Sequence, residues 1–219
     1  MDKKLAGACV AELIGTFALT FIGGGAILND KGGLLGVAVA HGLALATMIS
    51  AMGHISGGHF NPSVTLGLLS IGKVRIGEAV PYWVSQCGGA VLAGALLKSI
   101  FGTANLVSAT PHLGATSAGI GILVEAVLTF FLLTAVLGTA VDRNAPKIGG
   151  FGIGLTVCMD ILMGGPVTGA AMNQARWLGT GLFGSPCCPD ALVYLLGPAI
   201  GGVAASLTYK ALFSAEARA

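Results

Sequence analysis

Long apolar stretches alternate with short polar connections along the whole chain. A helix needs roughly 20 apolar residues to cross the hydrocarbon core of a bilayer, which is about 30 Å thick. Six stretches meet this requirement, and they lie near residues 5–28, 34–53, 79–98, 118–140, 148–166 and 191–210. The pattern predicts an all-α membrane protein with six transmembrane helices.

Two further apolar stretches, residues 62–71 and 174–183, are too short to cross a membrane. A helix of ten residues is about 15 Å long at 1.5 Å per residue, which is half of the hydrocarbon core. Asn is favoured at the N-cap and Pro at the first helical position, so Asn61 and Pro62 predict a helix start. We expect two re-entrant half-helices.

The two halves of the chain repeat each other. The sequence GGHFNPSVTLG at 57–67 aligns with GAAMNQARWLG at 169–179 with an offset of 112 residues. At an offset of 113, AELIGTFAL aligns with VEAVLTFFL, which pairs Glu12 with Glu125. Chance similarity between apolar helices would not preserve acids and asparagines in the same order, so the halves are a structural repeat.

Three spans in each half imply that the second half enters the membrane from the opposite side. The repeats, at approximately 5–110 and 118–213, are therefore inverted within a single channel domain that covers residues 1–219. Inversion makes the two half-helices face each other near the midplane. Asn61 and Asn173 then supply amide donors where two positive helix ends meet, an arrangement that disfavours cations and protons but not a neutral hydrogen-bonding molecule.

Composition and charge support a membrane protein and give it an orientation. The chain is 54% hydrophobic and 9% charged, against about 25% charged in soluble domains. Its net charge of +2 comes from scattered cations, which argues against a nucleic-acid partner. The side that holds both termini collects Lys3, Lys4, Lys73, Arg75, Arg143, Lys147, Lys210 and Arg218, against Lys31 and Lys98 opposite. We expect cytoplasmic termini and an inner or plasma membrane location.

The motifs GHISGGHFNPSVTLG and GAAMNQARWLG, together with YWVSQ at 82–86, resemble the aquaporin or major intrinsic protein family over nearly the whole chain. The resemblance implies a right-handed bundle of six spans and two half-helices, usually assembled as a homotetramer with one pore per subunit. It implies a passive channel in the lipid bilayer for water, with no enzymatic activity, no cofactor and no metal.

The resemblance also implies which residues form the selectivity filter. Family spacing assigns it to His41, Ile161, Ala170 and Arg176. This set is most similar to the plant vacuolar subclass, which has His on span two and Ile on span five. We therefore expect water and small neutral solutes, namely ammonia, urea or hydrogen peroxide, to pass. A facilitator of glycerol or small polyols is the alternative within the family.

Two departures from the family pattern lie in the central asparagine boxes, where Ser63 replaces the usual alanine and Gln174 the usual proline. Gln174 removes one ring from the contact between facing prolines, which predicts a looser contact at the midplane. The remaining site residues are the box residues and the pore-loop backbone: Asn61, Pro62, Asn173, Ala175, Gly57, Gly58, His59, Phe60, Gly169, Ala171 and Met172.

Several ionisable residues fall within the predicted spans or loops. Glu12 and Glu125 are equivalent in the repeat, which favours a supporting role in which they accept hydrogen bonds from the N–H groups of the re-entrant loops. His54 and His59 either brace the first loop or contact the pore. Asp160 has no repeat equivalent, and its role stays open.

Two other classes of protein are weaker interpretations. An ion-coupled secondary transporter also uses inverted repeats and broken helices, but it needs moving gates, and these connections are short. An intramembrane hydrolase needs a nucleophile beside a base, and the spacing of Ser50, Ser56, His54 and Asp160 arranges none. Cysteines suggest no metal site, and we assign no function to the adjacent Cys187 and Cys188.

Overall fold

The computed structural model describes residues 2–146, 148–184 and 190–213, and every regular element in these residues is helical. The elements are α1 (Lys3–Asn29), α2 (Gly33–Ser56), α3 (Pro62–Ser70), α4 (Ile76–Phe101), α5 (Thr103–Ala109), α6 (Ala118–Val136), α7 (Gly149–Thr168), α8 (Gln174–Gly184) and α9 (Ala191–Thr208). Single π-helical turns at Leu137–Val141 and Tyr209–Phe213 extend α6 and α9. Lys147, Arg218, Cys187 and Cys188 lie outside the described residues.

Six of these helices, α1, α2, α4, α6, α7 and α9, are long and apolar enough to cross a membrane. Their outward faces carry large exposed hydrophobic side chains such as Leu35, Val84 and Leu123. An apolar surface of this extent is stable in lipid, where it needs no hydration. The predicted architecture of six spans and two half-helices is confirmed.

Glycines allow the spanning helices to approach one another closely. A Cβ atom at Gly89 of α4 would overlap the carbonyl oxygen of Leu13 in α1, and one at Gly201 of α9 would overlap that of Ala126 in α6. Small residues at helix interfaces in membranes permit such backbone contact. Because the offsets of the repeat relate the two contacts, both halves of the chain are assembled in the same way.

The half-helices α3 and α8 meet at their N-termini inside the bundle. Asn61 caps α3 by accepting a hydrogen bond from the N–H of Ser63 at 2.8 Å. Its amide Nδ2 donates to the carbonyl oxygen of Met172 at 2.7 Å, and Asn173 Nδ2 donates to that of Phe60 at 2.9 Å. Each asparagine therefore caps its own half-helix and holds the loop that precedes the other.

The structure extends the span predicted at 79–98 by three residues at each end, and it adds one helix that the sequence pattern does not reveal. Helix α4 begins at Ile76, where the Glu78 carboxylate reaches back to the residue before the helix and its Oε2 accepts from the Arg75 N–H at 3.2 Å. Helix α5 is only seven residues long, too short for a hydropathy window to detect. It packs against α8 through buried Leu106, next to Gly184.

Candidate functional site

A continuous series of cavities passes between the half-helices and the long helices. The central cavity is lined by both box asparagines, and it shares His59 with a cavity on one side and Arg176 with a cavity on the other. The first reaches Lys73, in the α3–α4 connection, and the second reaches Asp30, in the α1–α2 connection. These connections lie on opposite sides of the bundle, so the path crosses it.

The smallest of the three cavities lies at the centre of the path. The central cavity has a volume of about 20 Å³, against about 790 Å³ and 360 Å³ for the cavities on either side. Single water molecules fit a space of this size, because one water needs roughly 10–15 Å³. Most residues around the central cavity are apolar, and the polar ones are His41, His59, Asn61, Asn173 and Arg176.

The four filter residues of the sequence analysis lie together at one end of the central cavity. Arg176 Nε donates to His41 Nε2 at 3.1 Å, and Arg176 Nη1 lies 3.4 Å from the carbonyl oxygen of Ala170. Ile161 lines both the central cavity and the adjoining wider one, as Arg176 does. His41 and Arg176 are only 1% and 5% exposed.

The hydrogen bonds of His41 define its tautomer. Its Nδ1 lies 2.8 Å from the carbonyl oxygen of Val37, which can only accept, so Nδ1 carries the proton. Nε2 is then the acceptor for Arg176 Nε. The guanidinium is therefore held by an imidazole and by backbone carbonyls, and it needs no carboxylate partner.

Glu12 is fully buried and accepts four hydrogen bonds from the first re-entrant loop and its surroundings. Oε1 accepts from Ser56 Oγ at 2.7 Å and from the N–H of His59 at 2.9 Å. Oε2 accepts from the N–H of Phe60 at 2.6 Å and from Gln86 Nε2 at 2.7 Å. These bonds satisfy loop N–H groups that no helix can pair.

Glu125 makes the equivalent contacts in the second half of the chain. Oε1 accepts from Thr168 Oγ1 at 2.7 Å and from the N–H of Ala171 at 2.9 Å, while Oε2 accepts from the N–H of Met172 at 2.7 Å. The position of Gln86 is occupied here by Pro198, which has no amide to donate. Glu125 therefore accepts three of these hydrogen bonds, one fewer than Glu12.

The two loops share an unusual backbone conformation. Phe60 and Met172, equivalent in the repeat, have φ angles of 49° and 50°, and Ala170 has a φ of 44°. Residues with a Cβ adopt this left-handed region at a cost of roughly 1–2 kcal/mol each. Glycine takes the same region without that cost at the start of each loop, at Gly57, Gly58 and Gly169.

The box residues lie around the two helix starts. Pro62 is the first residue of α3, and its carbonyl oxygen accepts from Trp83 Nε1 at 3.2 Å. The N–H groups of Ala175 and Arg176 donate to Asn173 Oδ1 at 3.0 and 3.2 Å, which caps α8. Ser63 and Gln174 face each other across the two starts, with 2.9 Å between Ser63 Oγ and Gln174 Oε1.

Sequence reasoning missed the hydroxyl residues that brace the loops. Ser56 and Thr168 bond the carboxylates, and Tyr82 and Tyr194 each donate to the carbonyl oxygen of one of them at 2.8 Å. The repeat could have identified these residues, because the offset of 112 that aligns the boxes also pairs Ser56 with Thr168 and Tyr82 with Tyr194.

The remaining histidines and Asp160 occupy distinct positions. His59 both lines the central cavity and contacts Thr65 Oγ1 at 3.0 Å, and His54 lines the wider cavity on that side. His112 lines the cavity beyond Arg176. Asp160 is buried, and its Oδ2 has no hydrogen-bond partner in the part of the chain that the structure describes. The same part contains no group of three metal-ligating side chains.

Comparisons with known proteins agree with this architecture. A family model described as Major intrinsic protein matches residues 1–209. Aquaporin TIP4-4 from Zea mays is 42% identical over 98% of this chain and 90% of its own length. Aquaporin AqpM from Methanothermobacter thermautotrophicus is 37% identical over 94% and 97%. The aquaglyceroporin from Plasmodium falciparum shares the fold, with a TM-score of 0.85, 21% identity and coverage of 98% and 99%.

The chain therefore belongs to the major intrinsic protein family. It is an integral multi-pass membrane protein, and its cavities form one path through a bundle of six spans and two half-helices.

Proposed function

We propose that this protein is a passive channel for water and small neutral solutes, and not an enzyme. The observation that carries the proposal is the narrow central cavity, which lies between the capped N-termini of two half-helices and joins wider cavities on opposite sides. The family membership supports it. In this reading the whole chain, residues 1–219, is one channel domain made of inverted repeats.

The chemistry of the central cavity favours neutral molecules over ions. Asn61 and Asn173 each use one amide hydrogen for the opposite loop, which leaves the second hydrogen for a passing molecule. The positive ends of α3 and α8 meet at the same place and repel cations. Water, ammonia, urea and hydrogen peroxide can exchange hydrogen bonds there without carrying charge.

We assign selectivity by size and polarity to His41, Ile161, Ala170 and Arg176. The imidazole and the guanidinium supply the polar side of this filter, and the other two side chains supply apolar walls. Since His41 Nε2 already accepts from Arg176, the donors open to a solute are those of the guanidinium. A slot of this kind suits water and does not offer the extended apolar wall that a polyol backbone needs.

The proposal extends to assembly and location. We propose a homotetramer with one pore per subunit, which native mass spectrometry would detect at four times the chain mass of 21.7 kDa. The distribution of Lys and Arg supports cytoplasmic termini. We assign the chain to the inner or plasma membrane. Protease accessibility of terminal tags in sealed vesicles and membrane fractionation test these two assignments.

Stopped-flow light scattering of proteoliposomes tests the function. We expect faster shrinkage than in empty liposomes when an impermeant osmolyte is added, because water leaves through the channel. Accelerated re-swelling in urea or glycerol would show that small solutes also pass, and preferential glycerol entry would favour the facilitator alternative. Shrinkage no faster than in empty liposomes would contradict a water channel, and saturable, ion-dependent uptake would indicate a transporter.

Ile161→Ala tests the filter directly. The side chain is 2% exposed and lines the central cavity, so removing three carbons widens the passage without disturbing the bond between Arg176 and His41. We expect re-swelling in urea and glycerol to accelerate relative to the unmodified protein. Leu162→Ala is the matched control, since Leu162 is the next residue of α7 and is 45% exposed on the outside of the bundle. Equal solute rates in both variants would remove Ile161 from the filter.

A further inference from the structure

We propose that Ser63 and Gln174 act as a coupled pair of positioning residues that join the two half-helices at the midplane. The two residues are the departures from the family pattern found by sequence, and the structure brings them into direct contact. Ser63 Oγ donates a hydrogen bond to Gln174 Oε1 at 2.9 Å. The functional part of this inference rests on the proposed channel function, whereas the coupling itself does not.

The bond joins the first turns of α3 and α8. Ser63 is fully buried. Its N–H donates to Asn61 Oδ1 and its hydroxyl donates to Gln174 Oε1, so both of these donors have partners at the midplane. Gln174 is the first residue of α8, directly after the cap Asn173. The pair therefore connects the two helix starts beside the amide groups that point into the pore.

Gln174 also ties this junction to a spanning helix. Its Nε2 lies 3.3 Å from the carbonyl oxygen of Leu195 in α9, three residues before Pro198. On the other side of the junction, a Cβ atom at Gly202 of α9 would lie 2.9 Å from the carbonyl oxygen of Ser63. Both members of the pair are thus held against one face of α9.

This arrangement changes the expectation drawn from sequence. Replacing one of two facing prolines removes a ring contact, but the glutamine amide bonds the opposite half-helix and α9 at the same time. With alanine at position 63 the Gln174 oxygen would lose its donor, and with proline at position 174 the buried Ser63 hydroxyl would lose its acceptor. Serine at position 63 and glutamine at position 174 each supply the hydrogen-bond partner of the other. The effects on stability of replacing them should therefore not be additive.

The pair also fixes the separation between the starts of α3 and α8, which the amide groups of Asn61 and Asn173 must bridge to bond the opposite loops. Asn61 Nδ2 and Asn173 Nδ2 reach carbonyl oxygens of the opposite loops at 2.7 and 2.9 Å, and neither bond survives a separation of the helix starts by 1 Å. Loss of the pair should therefore disturb the amide donors in the pore. We expect a fall in water permeability per folded channel as a consequence.

A double-mutant cycle tests the coupling. Ser63→Ala, Gln174→Pro and the double variant are purified in detergent, and their thermal unfolding midpoints are compared with that of the unmodified protein. Each single variant should unfold at least about 3 °C lower. Ser63→Ala leaves the partly buried Gln174 oxygen without its donor, whereas Gln174→Pro leaves the buried Ser63 hydroxyl without its acceptor and also removes the bond to Leu195. The double variant should lie above the lower single variant, because alanine and proline leave no unpaired group behind. Strictly additive shifts would overturn the proposal.

Ser70→Ala combined with Gln174→Pro is the matched control. Ser70 belongs to the same half-helix, but its hydroxyl bonds only the carbonyl oxygen of Gly67 at 2.7 Å, so its effect should add to that of Gln174→Pro. Water permeability of the same variants, normalised to reconstituted protein, should follow the same non-additive order. If the unmodified protein fails to conduct, the channel function fails, while the unfolding midpoints still decide whether the residues are coupled.

Discussion

Gly89→Ala should prevent α1 and α4 from packing, and Gly88→Ala should leave this packing intact. A Cβ atom at Gly89 would overlap the carbonyl oxygen of Leu13, a backbone atom that no side-chain rotation can move aside. A Cβ at Gly88 would meet nothing within 4 Å. We expect Gly89→Ala to destabilise the fold by about 3 kcal/mol or more, the upper end of the range for overpacked interiors.

The consequence reaches the pore because α1 carries Glu12. Separation of α1 from α4 would pull Glu12 Oε2 away from Gln86 Nε2, which donates to it across the same interface. The measurements are the yield of monodisperse protein in detergent and the thermal unfolding midpoint of Gly89→Ala beside Gly88→Ala. The two alanine variants differ by one position in the same helix, so helix propensity cancels. Equal midpoints would mean that the helices are not in backbone contact at this position.

Much of the architecture could be predicted from sequence because the bilayer makes strict demands on it. Within a single segment, only a helix pairs all of its backbone N–H and C=O groups in hydrocarbon, so the length of each apolar stretch locates a span. The repeat adds what hydropathy cannot supply: the pairing of Glu12 with Glu125 suggested a shared role, and both carboxylates accept from loop N–H groups.

Details that depend on three-dimensional contact could not be predicted. Sequence reasoning assigns left-handed backbone to glycine, yet Phe60, Ala170 and Met172 adopt it, because a carboxylate, a cap and an opposing asparagine together outweigh the local steric cost. The bond between Ser63 and Gln174 joins residues far apart in the chain. In the sequence, each of them is only a departure from the family pattern of its asparagine box. Helix α5 forms because α8 covers it, and its own composition gives no periodic signal.

Glu125→Gln should abolish water conduction in a protein that still assembles. The amide keeps one oxygen as an acceptor but replaces the other with a donor, which would then face the N–H of Ala171 or Met172. An unpaired buried N–H costs about 1–3 kcal/mol, and two opposed donors are worse, so the loop must move. This loop carries the Ala170 carbonyl beside Arg176 and leads into Asn173, and both would lose their positions in the pore.

Tyr194→Phe provides the matched control for Glu125→Gln, because it removes a single hydrogen bond to the same loop, from the hydroxyl to the carbonyl oxygen of Thr168. We expect a loss of about 1 kcal/mol and near-normal permeability for the control. The measurement is the rate of stopped-flow shrinkage of proteoliposomes that contain equal amounts of either variant. Normal conduction by Glu125→Gln would show that the loop keeps its shape without the carboxylate. If Tyr194→Phe lowered the permeability more than Glu125→Gln, the loop would be held mainly by the tyrosine. The two outcomes can be told apart because Glu125 and Tyr194 bond the loop from different helices.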